Sequence, residues 1–97
     1  MAFAVTNIVR GTAEELSVIV ADVQRRGFDD LRSQAGFLSA RLYVAEDHTE
    51  AVTITEWDSR EHFLAYRQSE AGRRVVEDAV RWHPKIAFYE VVTAVGA

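Results

Sequence analysis

The chain has no cysteine and a single proline among its 97 residues. Without cysteine it forms no disulfide, binds no metal through thiolate and carries no thiol nucleophile. Compartment stays open on that count. A cationic surplus is also missing: 11 Lys and Arg stand against 15 Asp and Glu, a net charge of −4. That balance argues against a nucleic-acid partner, because phosphate binding needs a clustered positive surface. The nearest approach, Arg67, Arg73 and Arg74, is interrupted by Glu70 and followed by Glu77 and Asp78, the pattern of a solvated helix face. No apolar run reaches the roughly 20 residues of a membrane span. The first residues, Met-Ala-Phe-Ala-Val-Thr-Asn, lack a basic region followed by an apolar stretch, so the cytoplasm is the default expectation. Gly-rich phosphate loops, flavin or nicotinamide fingerprints and paired-carboxylate motifs are absent. His48, His62 and His83 are too scattered to suggest a metal site by spacing.

What remains is an ordinary globular composition, 48% hydrophobic and 27% charged, over a length that suits one domain spanning residues 1–97. Residues 2 to 9 alternate as a strand, with Phe3, Val5, Asn7 and Val9 on one face. Thr12-Ala-Glu-Glu15 is a capping box, so a helix should begin near Ala13. Leu16, Val20, Val23, Gly27 and Leu31 form its inner stripe, with Gly27 either a close-packing contact or a local bend. Gly36 suits the break that follows. A second strand is expected from about Phe37 to Ala45, with Leu38, Ala40, Leu42 and Val44 on one face and Ser39, Arg41 and Tyr43 on the other.

Glu46 to Glu50 reads as a hairpin loop. A third strand, Val52 to Glu56, then runs into a helix from about Ser59 to Gln68, with Trp57 at the junction. Asp58 or Ser59 can cap that helix, and Asp58-x-x-Glu61 has the form of a capping box. Ser69-Glu70 opens another helical segment to about Trp82, with Val75, Val76, Ala79 and Val80 available for burial, and His83-Pro84 ends it. The last strand is expected from about Lys85 to Val95.

The order β-α-β-β-α-β, with a hairpin between its halves, predicts an α+β ferredoxin-like fold: a four-stranded antiparallel sheet with its helices on one face. The other face lacks a cover, yet strands three and four carry apolar residues on both sides. A second apolar face of that size marks an association surface, and a two-fold homodimer through the sheet is the expectation.

Four pieces in order resemble a known family: Gly36-Phe37, the stretch Thr53-Ile-Thr-Glu-Trp57-Asp-Ser59-x-Glu61-x-Phe63, then Tyr66-Arg67-x-Ser69-Glu70, and Phe88-Tyr89-Glu90. They are similar to the antibiotic biosynthesis monooxygenase domain of the dimeric α/β barrel proteins. The resemblance implies a cofactor-free monooxygenase that oxidises a small, electron-rich phenol or anthrone with dioxygen. In the heme-degrading branch, Asn7 matches an Asn on strand one. The Trp of that branch falls on Tyr66 and its ligand His falls on Val76, so the resemblance does not extend to a heme ligand. The polyketide oxygenases are similar in having a Trp at the position of Trp57. Some carry an Asn four residues earlier, where this chain has Thr53.

The site expected from this reading has Asn7, Trp57, Tyr66 and His62 as catalytic residues, with Thr53 and Phe63 binding substrate. Each has a plainer role available. Asn7 is a buried amide satisfied structurally or aimed at a ligand. Trp57 covers the end of a core or walls a pocket. Tyr66 packs in the core or orients a phenolic substrate, and His62 is a surface residue or a general base. The rival readings of the same scaffold are a non-catalytic or ligand-binding dimer, an isomerase of the dimeric barrel superfamily, and a heme-degrading oxygenase.

Overall fold

A computed structural model describes residues 2–26 and 28–96. Strand β1 (Phe3–Arg10) leads into helices α1 (Ala13–Arg26) and α2 (Asp29–Arg32). The hairpin β2 (Phe37–Val44) and β3 (Glu50–Trp57) follows, then helices α3 (Arg60–Gln68) and α4 (Glu70–Ala79), a 3-10 turn (Val80–Trp82) and β4 (Lys85–Glu90). The four strands form one antiparallel sheet in the order β2-β3-β1-β4, the ferredoxin-like arrangement.

Local chemistry accounts for most boundaries. The Thr12 box forms in both directions: Thr12 N–H donates to Glu15 Oε1 at 3.1 Å, and Glu15 N–H donates to Thr12 Oγ1 at 3.2 Å. Ser69 caps α4 by accepting from Gly72 N–H. His83, in the left-handed region at φ 50°, terminates the 3-10 turn before Pro84. Gly72 is buried where α4 turns off α3, and a Cβ there would overlap the Tyr66 carbonyl.

Four expectations need correction. The first helix does not run on to Leu31: α1 stops at Arg26, and Leu31 is buried from the separate α2. Within α1, Leu16 and Ile19 are buried, and Val20 is only half-buried. Continued at about 100° per residue, a single helix would turn Leu31 roughly 90° off the stripe of Leu16, Ile19 and Val23 and bring Asp30 into it. Two helices let both sets of apolar side chains reach the sheet. Gly27, expected to pack or bend here, lies outside the described residues.

In β2 a bulge falls between Phe37 and Ser39, so Phe37 takes the inner position opposite Trp57 and Leu38 is 55% exposed. Val75, Val76 and Val80 are exposed, because α4 packs on α3 and the 3-10 turn rather than on the sheet. Strand β4 ends at Glu90, not Val95. Val91 N–H still donates to Ala2 O, just past the last ladder pair, Phe3 with Glu90.

By register, one sheet face carries Phe3, Val5, Asn7 and Val9 beside Trp57, Thr55, Thr53 and Ala51, and the helices cover it. The core on this face has two centres. Phe3, Val5, Leu31, Trp57 and Phe63 form one, joined by Phe28, Phe37, Ala40 and Tyr66. Leu16, Ile19 and Ala51 form the other, joined by Val9, Val23, Leu42 and Trp82. The uncovered face carries Thr6, Ile8, Val52 and Ile54 in its middle, with Tyr43 and Tyr89 toward the two edges.

Candidate functional site

Trp57 ends β3 and has no exposed surface. Its ring meets Phe37 edge-on at 5.6 Å and Phe63 at 5.7 Å, and stacks on Tyr66 at 5.3 Å with 29° between the planes. Phe63 also lies 5.9 Å from Phe3 and 5.7 Å from Phe88. The indole N–H donates to Thr55 Oγ1 at 3.1 Å, so that donor is already engaged within the protein. Three of the expected site residues, Trp57, Phe63 and Tyr66, are therefore in one aromatic stack, and Trp57 is its sealed centre.

Tyr66 is half-buried, unlike Trp57 and Phe63. Burial pushes its phenol above the ordinary tyrosine range, and the negative charge of Asp30 adds to the effect. A protonated phenol can donate one hydrogen bond. One helical turn before it, His62 stands on the same side of α3. Its Nδ1 is 2.6 Å from Asp58 Oδ1, and its backbone N–H donates to the capping hydroxyl of Ser59 at 3.2 Å. Hydrogen bonding to His62 holds the Asp58 carboxyl below its usual range. The capping box expected of Asp58 and Glu61 does not form, because Ser59 is the cap and Asp58 is engaged by His62.

Asn7 and Thr53 face each other across β1 and β3, with Ile86 of β4 beside Asn7 and Leu42 of β2 beside Thr53. Both are half-buried. They form a polar row between the two centres of the core, four residues along each strand from the Phe3–Trp57 pair, or about 13 Å. The aromatic stack and this row lie on the one covered face. Two surface hollows lie elsewhere, one lined by Leu64, Arg67, Gln68 and Arg73, the other by Ser17, Val18, Ala21, Asp22, Arg25 and Arg81. Among the described residues no cluster of three or more His, Asp or Glu is placed to hold a metal ion, and no helix is long and apolar enough to cross a membrane.

Sequence reasoning missed two partners. The Asp58-x-x-x-His62 spacing was the available signal for the first, since side chains four apart on a helix meet. Thr55, two residues before Trp57 on the same strand face, was the signal for the second.

The fold recurs among solved structures. The protein Rv0793 from Mycobacterium tuberculosis superposes with a TM-score of 0.83 at 16% identity, covering 99% of this chain and 100% of that one. The heme-degrading protein Rv3592 from the same organism gives 0.77 at 20% identity, covering 100% and 98%. A monooxygenase from the gene ActVA-Orf6 of Streptomyces coelicolor, in complex with the ligand nanaomycin D, gives 0.73 at 21% identity, covering 99% and 91%. At these identities the likeness is one of fold. No curated protein sequence matches the chain. The family model for antibiotic biosynthesis monooxygenase matches residues 3–78, most of the domain and all of the aromatic stack except Phe88, and the chain belongs to that family.

Proposed function

We propose that this protein is a cofactor-independent monooxygenase that oxidises an electron-rich phenol or anthrone with dioxygen. The observation that carries this reading is the placement of Tyr66: a half-buried phenol stacked on Trp57 and one turn from His62. A deprotonated anthrone can pass an electron to dioxygen itself, so the protein's task is to form and hold the anion. His62 takes the substrate's proton, and the Tyr66 hydroxyl donates to the resulting oxyanion. Trp57 and Phe63 lie buried behind Tyr66 and hold its ring in place, and Asn7 and Thr53 supply polar contacts toward the far end of a multi-ring ligand. For an anthrone the balance is a methylene oxidised to a carbonyl, one oxygen atom entering the product and the other leaving as water. The nanaomycin D bound in the Streptomyces coelicolor structure of the same fold supports a small-molecule ligand for this scaffold.

Heme does not fit the donor set. The position expected of an axial histidine holds Val76, an exposed aliphatic residue on α4. Heme titration should give no axial-histidine spectrum, and conversion of bound heme to an open-chain tetrapyrrole would contradict this.

The assembly that suits the uncovered sheet face is a homodimer. Ile8, Val52, Ile54, Tyr43 and Tyr89 form its apolar part, bordered by the Arg10–Glu50 ion pair and by Arg41, Lys85 and Glu56. Light scattering that returned 10.9 kDa at micromolar concentration would refute it.

A second reading, a non-catalytic dimer, draws on the sealed environment of Trp57 and on surface hollows that lie away from the stack. Oxygen uptake with a panel of anthrones and hydroquinones, run metal-free, separates the two. Uptake that falls in Tyr66→Phe and Trp57→Ala supports the oxygenase. No uptake with any substrate transfers the weight to the non-catalytic dimer.

A further inference from the structure

The contact between Asp58 and His62 is a side-chain pairing near the site that the oxygenase reading leaves unexplained, and the surrounding backbone is shaped to admit it. Asp58 is the residue after β3, and its N–H donates to Gly36 O at 2.8 Å, closing the start of β2 against the start of α3. Gly36 has φ +81°, a conformation that residues with a Cβ rarely adopt. Its missing side chain matters as much as its dihedral: a Cβ at position 36 would overlap His62 Nδ1, Asp58 Oδ1 and His62 Cγ together. Ser59 fixes the first turn of α3 by accepting from His62 N–H. Carboxylate, imidazole and glycine thus come from three places in the chain and meet at one point.

We infer that Asp58 is a positioning residue: it fixes His62 as the Nδ1–H tautomer and leaves the Nε2 lone pair as the proton acceptor. An ionised carboxylate offers no proton, so at 2.6 Å the hydrogen must belong to Nδ1. In a neutral imidazole the other nitrogen is then bare. When Nε2 takes the proton of an aromatic hydroxyl, the O–H bond breaks, an N–H bond forms, and the imidazolium is held against the Asp58 carboxylate. This is the division of labour between base and orienting acid that serine hydrolases use, with no nucleophile required here. The inference rests on the proposed reaction for its purpose, and on geometry alone for the tautomer.

The test begins without substrate. Long-range proton–nitrogen NMR at about pH 8.5, where a histidine in its ordinary range is neutral, should give His62 the Nδ1–H pattern in the parent. It should revert toward the Nε2–H form in Asp58→Ala and in Gly36→Ala, while Glu61→Gln, one residue before His62, keeps the parental pattern. Backbone amide spectra establish that each variant is folded. An Nε2–H pattern in the parent, or an unchanged pattern in folded Asp58→Ala, overturns the inference whatever the enzyme does. With a substrate that the parent oxidises, Asp58→Ala should lower kcat at least tenfold with KM little changed, and an undiminished kcat also overturns it. If no substrate is oxidised, the proposed reaction fails, and the NMR result alone decides the tautomer.

Discussion

The two ends of the helix-covered sheet face are built from different materials. One end is aromatic, with Phe3, Phe37, Trp57, Phe63 and Tyr66 packed ring against ring, and it adjoins the Asp58–His62 pair. The other is mostly aliphatic, with Leu16, Ile19, Val23 and Leu42 around Ala51 and Trp82 as its one aromatic member. Branched aliphatics fill space with no polar handle, whereas stacked rings hold one another in place and Tyr66 adds a donor at their edge. The aliphatic end is scaffold, and the proposed chemistry belongs to the aromatic end.

The largest expected effects test whether both ends are needed for folding. Trp57→Ala should cost about 3–5 kcal/mol in denaturant unfolding, and Leu16→Ala about 2–5 kcal/mol, since both remove fully buried side chains. Either is a large share of the roughly 5–15 kcal/mol that holds a domain together. In the folded fraction, Leu16→Ala should leave oxidation rates unchanged and Trp57→Ala should not. Equal kinetic losses would erase the distinction between the ends.

Next in size is Tyr66→Phe, expected to cost about 1–3 kcal/mol in transition-state stabilisation through the lost hydrogen bond to an anion. Its stability should change little, because the ring remains. The contrasting change is Ile19→Val, which should cost about 0.5–1.5 kcal/mol in stability and nothing in kcat/KM.

Acidification should reach both ends at once. Asp58 is held below its usual range by the hydrogen bond with His62, and Glu15 by hydrogen bonds with Thr12. A carboxyl with a depressed folded pKa contributes fully above its unfolded value and loses that contribution as pH falls through the folded one. The thermal midpoint should therefore be flat down to about pH 5 and then decline below about pH 4, where such carboxylates protonate. Asp58→Asn should make that decline shallower by removing the share of the aromatic end. A decline of unchanged depth in the variant would show that its contribution is negligible.

The smallest change lies on the opposite sheet face. Thr6 Oγ1 is buried there with no hydrogen-bond partner among the described residues, so Thr6→Val should be neutral or stabilise by up to about 1 kcal/mol. A clear loss would mean that a second copy supplies a partner to this hydroxyl.

How much of this was legible depended on range. Thr12, Ser69, His83 and Pro84 act within four residues of themselves, and each boundary they mark was readable. Strand parity placed Asn7, Thr53 and Trp57 on one face correctly, because period-2 alternation survives wherever no residue is inserted. It failed at Leu38, since nothing local announces the bulge that sets Phe37 opposite Trp57. Leu31 was read as inward-facing and is buried, but the break that re-aims it depends on where the aromatic end lies. The exposed valines of α4 were misjudged for a related reason: helical periodicity identifies an apolar stripe without saying that α4 leans on α3. For the site, residue types were legible and their pairing was not. Asp58 and Ser59 both read as possible caps because either side chain suits the start of a helix, and the four-residue spacing of Asp58 and His62 was the signal that separates them.

The distribution of the two tryptophans has a practical consequence. Trp57 is sealed in the aromatic end, while Trp82 packs at the aliphatic end with the Arg81 guanidinium 4.9 Å above its ring. Each half of the core thus contains its own natural fluorophore. Trp57 should emit toward the blue and accept excitation energy from the stacked Tyr66, whereas Trp82, partly open to solvent and beside a cation, should emit further to the red. Replacing either one by Phe leaves a single-colour reporter of the other half. Progress of an aromatic ligand into the stack, or early melting of one half before the other, then becomes visible by light alone, with no label attached.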